Sequence, residues 1–197
     1  MPTPERLTKI TRVANARQHG IVVLEDIYDP HNAIAVFRSC DAFAVQEVYL
    51  VFDKQPAFDP KEMGRATSTS ANKWIDFKIF NSIEDAYNDL KARDYTSYAT
   101  VLSDDTVSLY EASLLESPRL AFVLGNEKKG LSEKAVELAD HKIMIPMQGM
   151  IQSLNLSVTA SICLFELNRQ RLASNNMPEY LLSNGSNDTL IQDFCER

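Results

Sequence analysis

Three cysteines in 197 residues, Cys40, Cys163 and Cys195, stand far apart, with no CxxC and no paired Cys/His spacing. That scatter argues against a zinc site and against a disulfide framework, and no metal is expected. No apolar run reaches the roughly 20 residues of a membrane-spanning helix. The N-terminal MPTPERLTKI has no apolar signal-peptide core, so the reading is a cytoplasmic protein with no membrane partner. Positive charge is scarce: 20 Lys and Arg face 27 Asp and Glu, for a net charge of −7 and a pI of about 5.0. Taken alone, this speaks against a nucleic-acid partner, because phosphate contacts need local positive charge. Net charge is an average, however, and a basic patch can sit on an acidic protein. Two nucleotide signatures are missing as well. Gly125-Asn-Glu-Lys-Lys-Gly130 runs on into Leu131-Ser132, where a P-loop needs Lys then Ser or Thr, and GxGxxG is absent. No internal repeat and no low-complexity linker breaks the chain.

What is present is ordinary for a globular protein, with 45% apolar and 24% charged residues. The length suits one domain over residues 1–197, with a short N-terminal helix (about 4–18) and a short C-terminal tail (about 176–197). Apolar strand-like runs lie at 21–24, 48–52, 74–80, 98–102, 120–124 and 142–145. Helical patterns fall between them, at 32–43, from Ser82 to about Arg93 behind a capping-box pattern, and from about Ser132. The longest covers 155–173, with Leu154, Val158, Ile162 and Phe165 marking an apolar face. Asn175, Asn176 and Pro178 stop it. The polar stretch Arg65-Ala-Thr-Ser-Thr-Ser-Ala-Asn72 reads as a loop or helix end. From Ser183 the sequence reads as a turn followed by a loosely attached helix. Strands alternating with helices imply an α/β fold, a mostly parallel sheet with helices on both faces. Ligands then bind beyond the carboxyl ends of the strands, which singles out the loops after Leu24, Leu102, Leu124 and Ile145.

Three loops contain residues capable of chemistry. Gly125 to Gly130 fits either a ligand loop or a plain strand-to-helix turn that uses glycine for positive φ. In Pro146-Met-Gln-Gly-Met-Ile-Gln-Ser-Leu-Asn155, Ser153 and Asn155 stand where helix amides point at a ligand, and they equally suit simple N-capping. Asp29-Pro-His-Asn32 precedes Arg38 by six residues. The two side chains share no helix face, but converge if Asn32 sits at the cap. Arg38, among Ala33, Ile34, Val36 and Phe37, is costly to bury alone. It is either a functional group or half of an ion pair with Asp41.

Read as strings, these loops resemble the three motifs of the SpoU-type RNA methyltransferases of the SPOUT superfamily. Asn32-Ala-Ile-Ala-Val-Phe-Arg38-Ser-Cys-Asp-Ala-Phe is similar to the first. Leu120-Ala-Phe-Val-Leu-Gly-Asn-Glu-Lys-Lys-Gly-Leu-Ser132 is similar to the second, a strand ending in Gly-x-Glu-x-x-Gly. Ile145 to Ser161, with its Ser-Leu-Asn core, is similar to the third. The motifs stand in the family order and the resemblance spans roughly residues 22–171. Pro30-His31-Asn32, Gly64 with its Ser/Thr loop, and Glu166 to Arg171 place it nearest the branch that methylates the ribose of guanosine 18 in tRNA. Ala44 departs from the pattern, standing where the family often has glycine.

The resemblance implies a C-terminal trefoil knot and a homodimer whose subunits share the site. It implies S-adenosylmethionine as methyl donor, held by Thr100, Gly125, Ile145 and Leu154, with Leu102 and Met150 near the adenine, and tRNA as substrate. The 155–173 helix is then as fit for a dimer interface as for the core. Arg38 would carry the chemistry, oriented with the ribose by Asn32, Glu127, Ser153 and Asn155. A guanidinium parts with its proton too reluctantly to make a good base. Our expectation is that Arg38 binds the neighbouring phosphate and stabilises the developing alkoxide. Arg6, Lys9, Arg12 and Arg17 in the first helical pattern, with Arg169 and Arg171 after the long helix, match basic family positions and are the expected RNA contacts. Singly, each also reads as part of a solvated helix face. Two alternatives remain open: methylation of ribosomal RNA, and a catalytically silent dimeric RNA-binding protein of the same fold.

Overall fold

A computed structural model of the protein describes residues 2–62, 70–103, 105–182 and 184–197. Gly64, residues 65–69 of the polar stretch and Ser183 lie outside the described residues. The end of that stretch begins a single 3₁₀ turn, Ser70–Lys73.

Among the described residues the strands are β1 (Gln18–Glu25), β2 (Val45–Val51), β3 (Asp76–Phe80), β4 (Thr96–Thr100), β5 (Val107–Ser108), β6 (Leu120–Leu124) and β7 (His141–Met144). They form one sheet in the order β3-β2-β1-β6-β4-β7-β5, with every pairing parallel. A parallel sheet needs cover on both faces, and this one has it. The helices are α1 (Pro4–Asn15), α2 (Pro30–Ala42), α3 (Ile83–Ala92), α4 (Glu133–Leu138), α5 (Leu156–Ala173), α6 (Met177–Tyr180) and α7 (Asn184–Glu196). Successive residues of a strand point to opposite faces. Val22 and Leu24 of β1 therefore pack with Ala33, Val36 and Phe37 of α2 and Ala160 and Leu164 of α5. Ile21 and Val23 pack on the other side, with Ala86, Tyr87 and Leu90 of α3 and Ala135 of α4.

The helix starts follow from short polar side chains that satisfy the first amides. Asp29 accepts from the His31 N–H with Pro30 in the first turn. Ser82, Ser132 and Asn155 do the same for α3, α4 and α5.

Two elements are settled by the structure beyond the sequence reading, which left the α5 face open between core and interface and took the C-terminal segment as loosely attached. In α5 the face set by Leu156, Ala160, Cys163, Leu164 and Leu167 goes into the core. The face marked by Val158 and Phe165 points outward, at 43% and 56% exposure. The helix is apolar on two sides, so its spacing alone fits two orientations. The C-terminal segment is not loosely attached either. Its helix α7 begins at Asn184, inside the stretch read as a turn. Leu190 and Phe194 are buried against Ile10 and Ala14 of α1, with Trp74 packed at the margin. A main-chain bond from Leu182 N–H to the Arg17 carbonyl (3.0 Å) ties the approach to α7 onto β1.

Candidate functional site

Because the strands are parallel, all their carboxyl ends lie along one edge, and the loops that leave them meet there. The loops after β4, β6 and β7 enclose a cleft of about 550 Å³, a size typical of small-molecule sites. Thr100, Leu102, Gly125, Glu127, Ile145, Ser153 and Leu154 all line it. Met150 does not; its side chain is wholly exposed, so the expected place beside an adenine is not where this loop puts it. Apolar walls (Ile143, Ile145, Leu154, Leu156) face a polar margin on the Asn126–Gly130 side. This donor set fits S-adenosylmethionine, whose adenine needs an apolar slot and whose charged end needs polar groups.

The Gly125–Gly130 segment is a tight turn as well as a cleft wall. Asn126 and Gly130 exchange main-chain bonds of 3.0 and 2.8 Å, and Gly130 adopts φ +71°. Gly125 is needed for space rather than for φ: a Cβ there would lie 2.2 Å from Gly130 C and Leu131 N. The buried Asn126 fixes the turn in place. It donates to the Asp26 carbonyl (2.6 Å) and accepts from the Lys128 and Lys129 amides. Asp26, at φ 50°, in turn accepts three amides, from Asp53, Lys54 and Gln55. Glu25 holds Ser132 through both its amide and its hydroxyl. Sequence reasoning missed Glu25, Asp26 and Asn126, because the bonds that tie them to other loops span between 27 and 107 residues, which no local spacing marks.

The three motif segments join through a chain of hydrogen bonds. Glu127 accepts from Tyr28 N–H (2.9 Å), Asp29 N–H (3.3 Å) and Asn32 Nδ2 (2.8 Å). Asn32 Oδ1 accepts from Asn155 Nδ2 (2.9 Å), and Asn155 Oδ1 caps α5 by accepting from Ser157 N–H (2.8 Å). Partial burial opposes the charge on Glu127, but the bonds from Asn32 and the Tyr28 and Asp29 amides outweigh it, so the carboxyl sits below its usual range. Glu127 is thus an anchoring anion. Asn32 lies in the first turn of α2, since the cap is Asp29.

Arg38 stands apart from this chain. It is exposed, and among the described residues it has neither a hydrogen bond nor an ion pair with Asn32 or Asp41. The rival pairing is excluded because Asp41 binds Arg17 instead (2.5 Å). Arg38 lines an open groove between α2 and α5, with Phe43, Val158, Ile162 and Phe165 as apolar walls. Ser39 and Ser161 share a hydroxyl contact of 2.7 Å in that groove.

The basic residues divide. Arg6, Lys9 and Arg12 are exposed on α1. Arg169 is exposed but held by both oxygens of Glu166 at 2.7 Å. Arg17 and Arg171 are fully buried, which removes them as phosphate contacts. Arg17 pairs with Asp41 and lies over the Phe194 ring. Arg171 donates to Gln18 Oε1 (2.8 Å), the His19 carbonyl (2.6 Å) and the Pro118 carbonyl (3.0 Å). Burial pulls its pKa down to about 10. Both arginines pin the C-terminal helices to the sheet, a role invisible in a charge pattern. Among the described residues no group of three or more His, Cys, Asp or Glu is placed to hold a metal ion, and no helix is long and apolar enough to cross a membrane.

Comparison with known proteins agrees with this geometry. Residues 19–165 match the SpoU rRNA Methylase family. The tRNA (guanosine(18)-2′-O)-methyltransferase of Thermus thermophilus is 39% identical over 173 residues, spanning 86% of this chain and 85% of that protein. The crystal structure of the A. aeolicus TrmH/SpoU tRNA modifying enzyme superposes with a TM-score of 0.81 at 30% identity, covering 98% of this chain and 95% of that one. An AdoMet-bound rRNA methyltransferase from Sinorhizobium meliloti superposes at 0.68 with 28% identity, over 82% of this chain and 60% of that one.

Proposed function

This chain belongs to the SpoU rRNA methylase family, and from that premise we propose that it methylates a ribose 2′-hydroxyl of tRNA, at guanosine 18, using S-adenosylmethionine. The observation that carries the reading is the Glu127–Asn32–Asn155 chain of hydrogen bonds, which joins all three motif segments beside the cleft. The 39% identity to a tRNA guanosine-18 enzyme over most of both chains favours tRNA over ribosomal RNA.

When bound, the donor supplies an electrophilic methyl group on a sulfonium centre. Thr100, Leu102, Gly125, Ile145 and Leu154 would hold it, as lining residues of the cleft. A ribose hydroxyl is a weak nucleophile until its proton is removed. Arg38, exposed and without an ion pair among the described residues, offers a planar fork of donors to the adjacent phosphate and to the alkoxide as charge develops on it. Glu127 holds Asn32, and Asn32 holds Asn155, so two amide side chains are preset to orient the ribose. Ser153 is exposed at the cleft wall, where its hydroxyl is available to substrate. Arg6, Lys9 and Arg12 are the remaining candidate phosphate contacts, and they answer the objection from the acidic net charge by concentrating positive charge on α1.

The same reading includes a C-terminal trefoil knot, a homodimer and a cytoplasmic location. The exposed Val158, Phe165 and Leu172 of α5 support the dimer, because a second subunit covering them would also close the groove that holds Arg38.

The test is methyl transfer from labelled S-adenosylmethionine into unmodified total tRNA, with ribosomal RNA in parallel. Label is expected in a tRNA ribose. Arg38→Ala should abolish turnover and leave donor binding intact. Label confined to ribosomal RNA would overturn the substrate, and full turnover by Arg38→Ala would remove Arg38 from the mechanism.

A further inference from the structure

Tyr28 leaves β1 at the carboxyl edge, directly beside the site. Its side chain is 59% exposed. Its main-chain N–H donates to Glu127 Oε2 (2.9 Å), the same carboxylate that holds Asn32. A single exposed aromatic residue on a soluble protein needs no special account. Two further features set this one apart. Glu127 holds the amides of Tyr28 and Asp29 together, and the following Pro30 has its φ fixed by the ring, so the segment is stiff before any ligand arrives. In addition, the Lys128 ammonium rests 4.0 Å from the centroid of the Tyr28 ring, while Lys128 itself lines the cleft. A flat aromatic face and a cation, both at the rim of a cleft, are the two parts of a single-strand nucleic-acid site: the ring takes a base and the cation takes a phosphate.

We propose that Tyr28 is a positioning residue for RNA, stacking on the unstacked base at or next to the reacting ribose while Lys128 binds the adjoining phosphate. This rests on the methyl transfer to tRNA proposed above. Stacking is tolerant of base identity, so Tyr28 sets where the nucleotide sits rather than which nucleotide it is. The stiff segment loses little freedom on binding, which makes the ring an efficient anchor. The cation covers at most one ring face, and the Lys128 ammonium, which has no ion pair among the described residues, is readily transferred to a phosphate.

The experiment measures kcat and KM for unmodified tRNA in wild type, Tyr28→Ala, Tyr28→Phe and Lys128→Ala, with donor affinity and Tm recorded for each. Loss of a base stack predicts a KM for tRNA raised about 5- to 150-fold in Tyr28→Ala. Donor affinity and Tm should not move, because the ring is exposed. Tyr28→Phe keeps the ring and should stay near wild type. Lys128→Ala should flatten the plot of log affinity against log salt by roughly 0.7, one phosphate contact on a single strand. A wild-type KM in Tyr28→Ala, or equal damage in Tyr28→Phe, would overturn the stacking role while methyl transfer stands. An unchanged salt slope would overturn the part given to Lys128. A wild-type protein that methylates no tRNA would remove the underlying function, and the stacking role with it, before any variant is compared.

Discussion

Replacing Glu127 by glutamine tests the anchoring chain with almost no change in shape. The carboxylate offers Oε1 to Asn32 Nδ2 and to Asp29 N–H, and Oε2 to Tyr28 N–H. A glutamine brings one acceptor and one NH₂ group, so whichever way it turns, at least one of these donors faces another donor. A hydrogen bond to a charged group is worth roughly 1.5–3 kcal/mol. The side chain is only half-buried and water compensates in part, so the expected loss is about 1–2 kcal/mol. For a chain of this size each kcal/mol moves Tm by roughly 2–4 °C, which predicts a drop of about 2–8 °C. Activity should fall further than stability. Asn32 and Asn155 lose their reference point, and a small misplacement of orienting groups costs on the order of tenfold to a hundredfold in kcat. The pH dependence has a definite sign. The folded-state pKa of Glu127 is depressed below the ordinary 4.5. Its contribution is therefore complete above pH 4.5 and is lost as the pH falls through the lowered folded value. The Tm gap between wild type and Glu127→Gln should be constant around neutrality and shrink in acid. Calorimetric melts across that range, with turnover at neutral pH, measure both effects. Equal Tm and equal kcat at pH 7, or a gap that widens in acid, would refute the anchoring role.

Three other substitutions have outcomes fixed by backbone geometry. Gly125→Ala places a Cβ 2.2 Å from the backbone of Gly130 and Leu131. It should cost about 1–3 kcal/mol of stability and weaken donor binding measured by calorimetry. Gly149→Ala has nothing within 4 Å of the new Cβ and should behave as wild type in both assays; equal effects would show that space at Gly125 is not the constraint. Ala44 ends α2 at φ 58°, where glycine is at ease and alanine is strained. Ala44→Gly should stabilise the protein by about 0.5–1 kcal/mol, seen as a raised denaturation midpoint with an unchanged slope; a lowered midpoint would show that chain entropy outweighs the strain.

The sequence by itself determined the layered α/β architecture, because continuous apolar strands and capped helices follow from local patterning. It also singled out three segments that the fold brings together: Asn32, Glu127 and Asn155 stand in recognisable strings, and the parallel topology obliges their loops to meet. It could not separate buried from exposed where local spacing is silent. Arg17 and Arg171 read as basic surface, yet each is enclosed by groups distant in the chain, Asp41 for one and Gln18 and the Pro118 carbonyl for the other. The apolar stripe through Val158 and Phe165 suited core and interface equally, since α5 is apolar on two sides, and only packing against α2 and the sheet chose which side is buried. The bonds that join Asp26 and Asn126 to each other and Asp26 to the 53–55 loop had no local signature. Helix and strand formation depends on neighbours a few residues apart, which a sequence displays. Burial of a charge, the choice of helix face and the bracing of a loop depend on partners brought together across more than 150 residues, and only the tertiary structure brings them there.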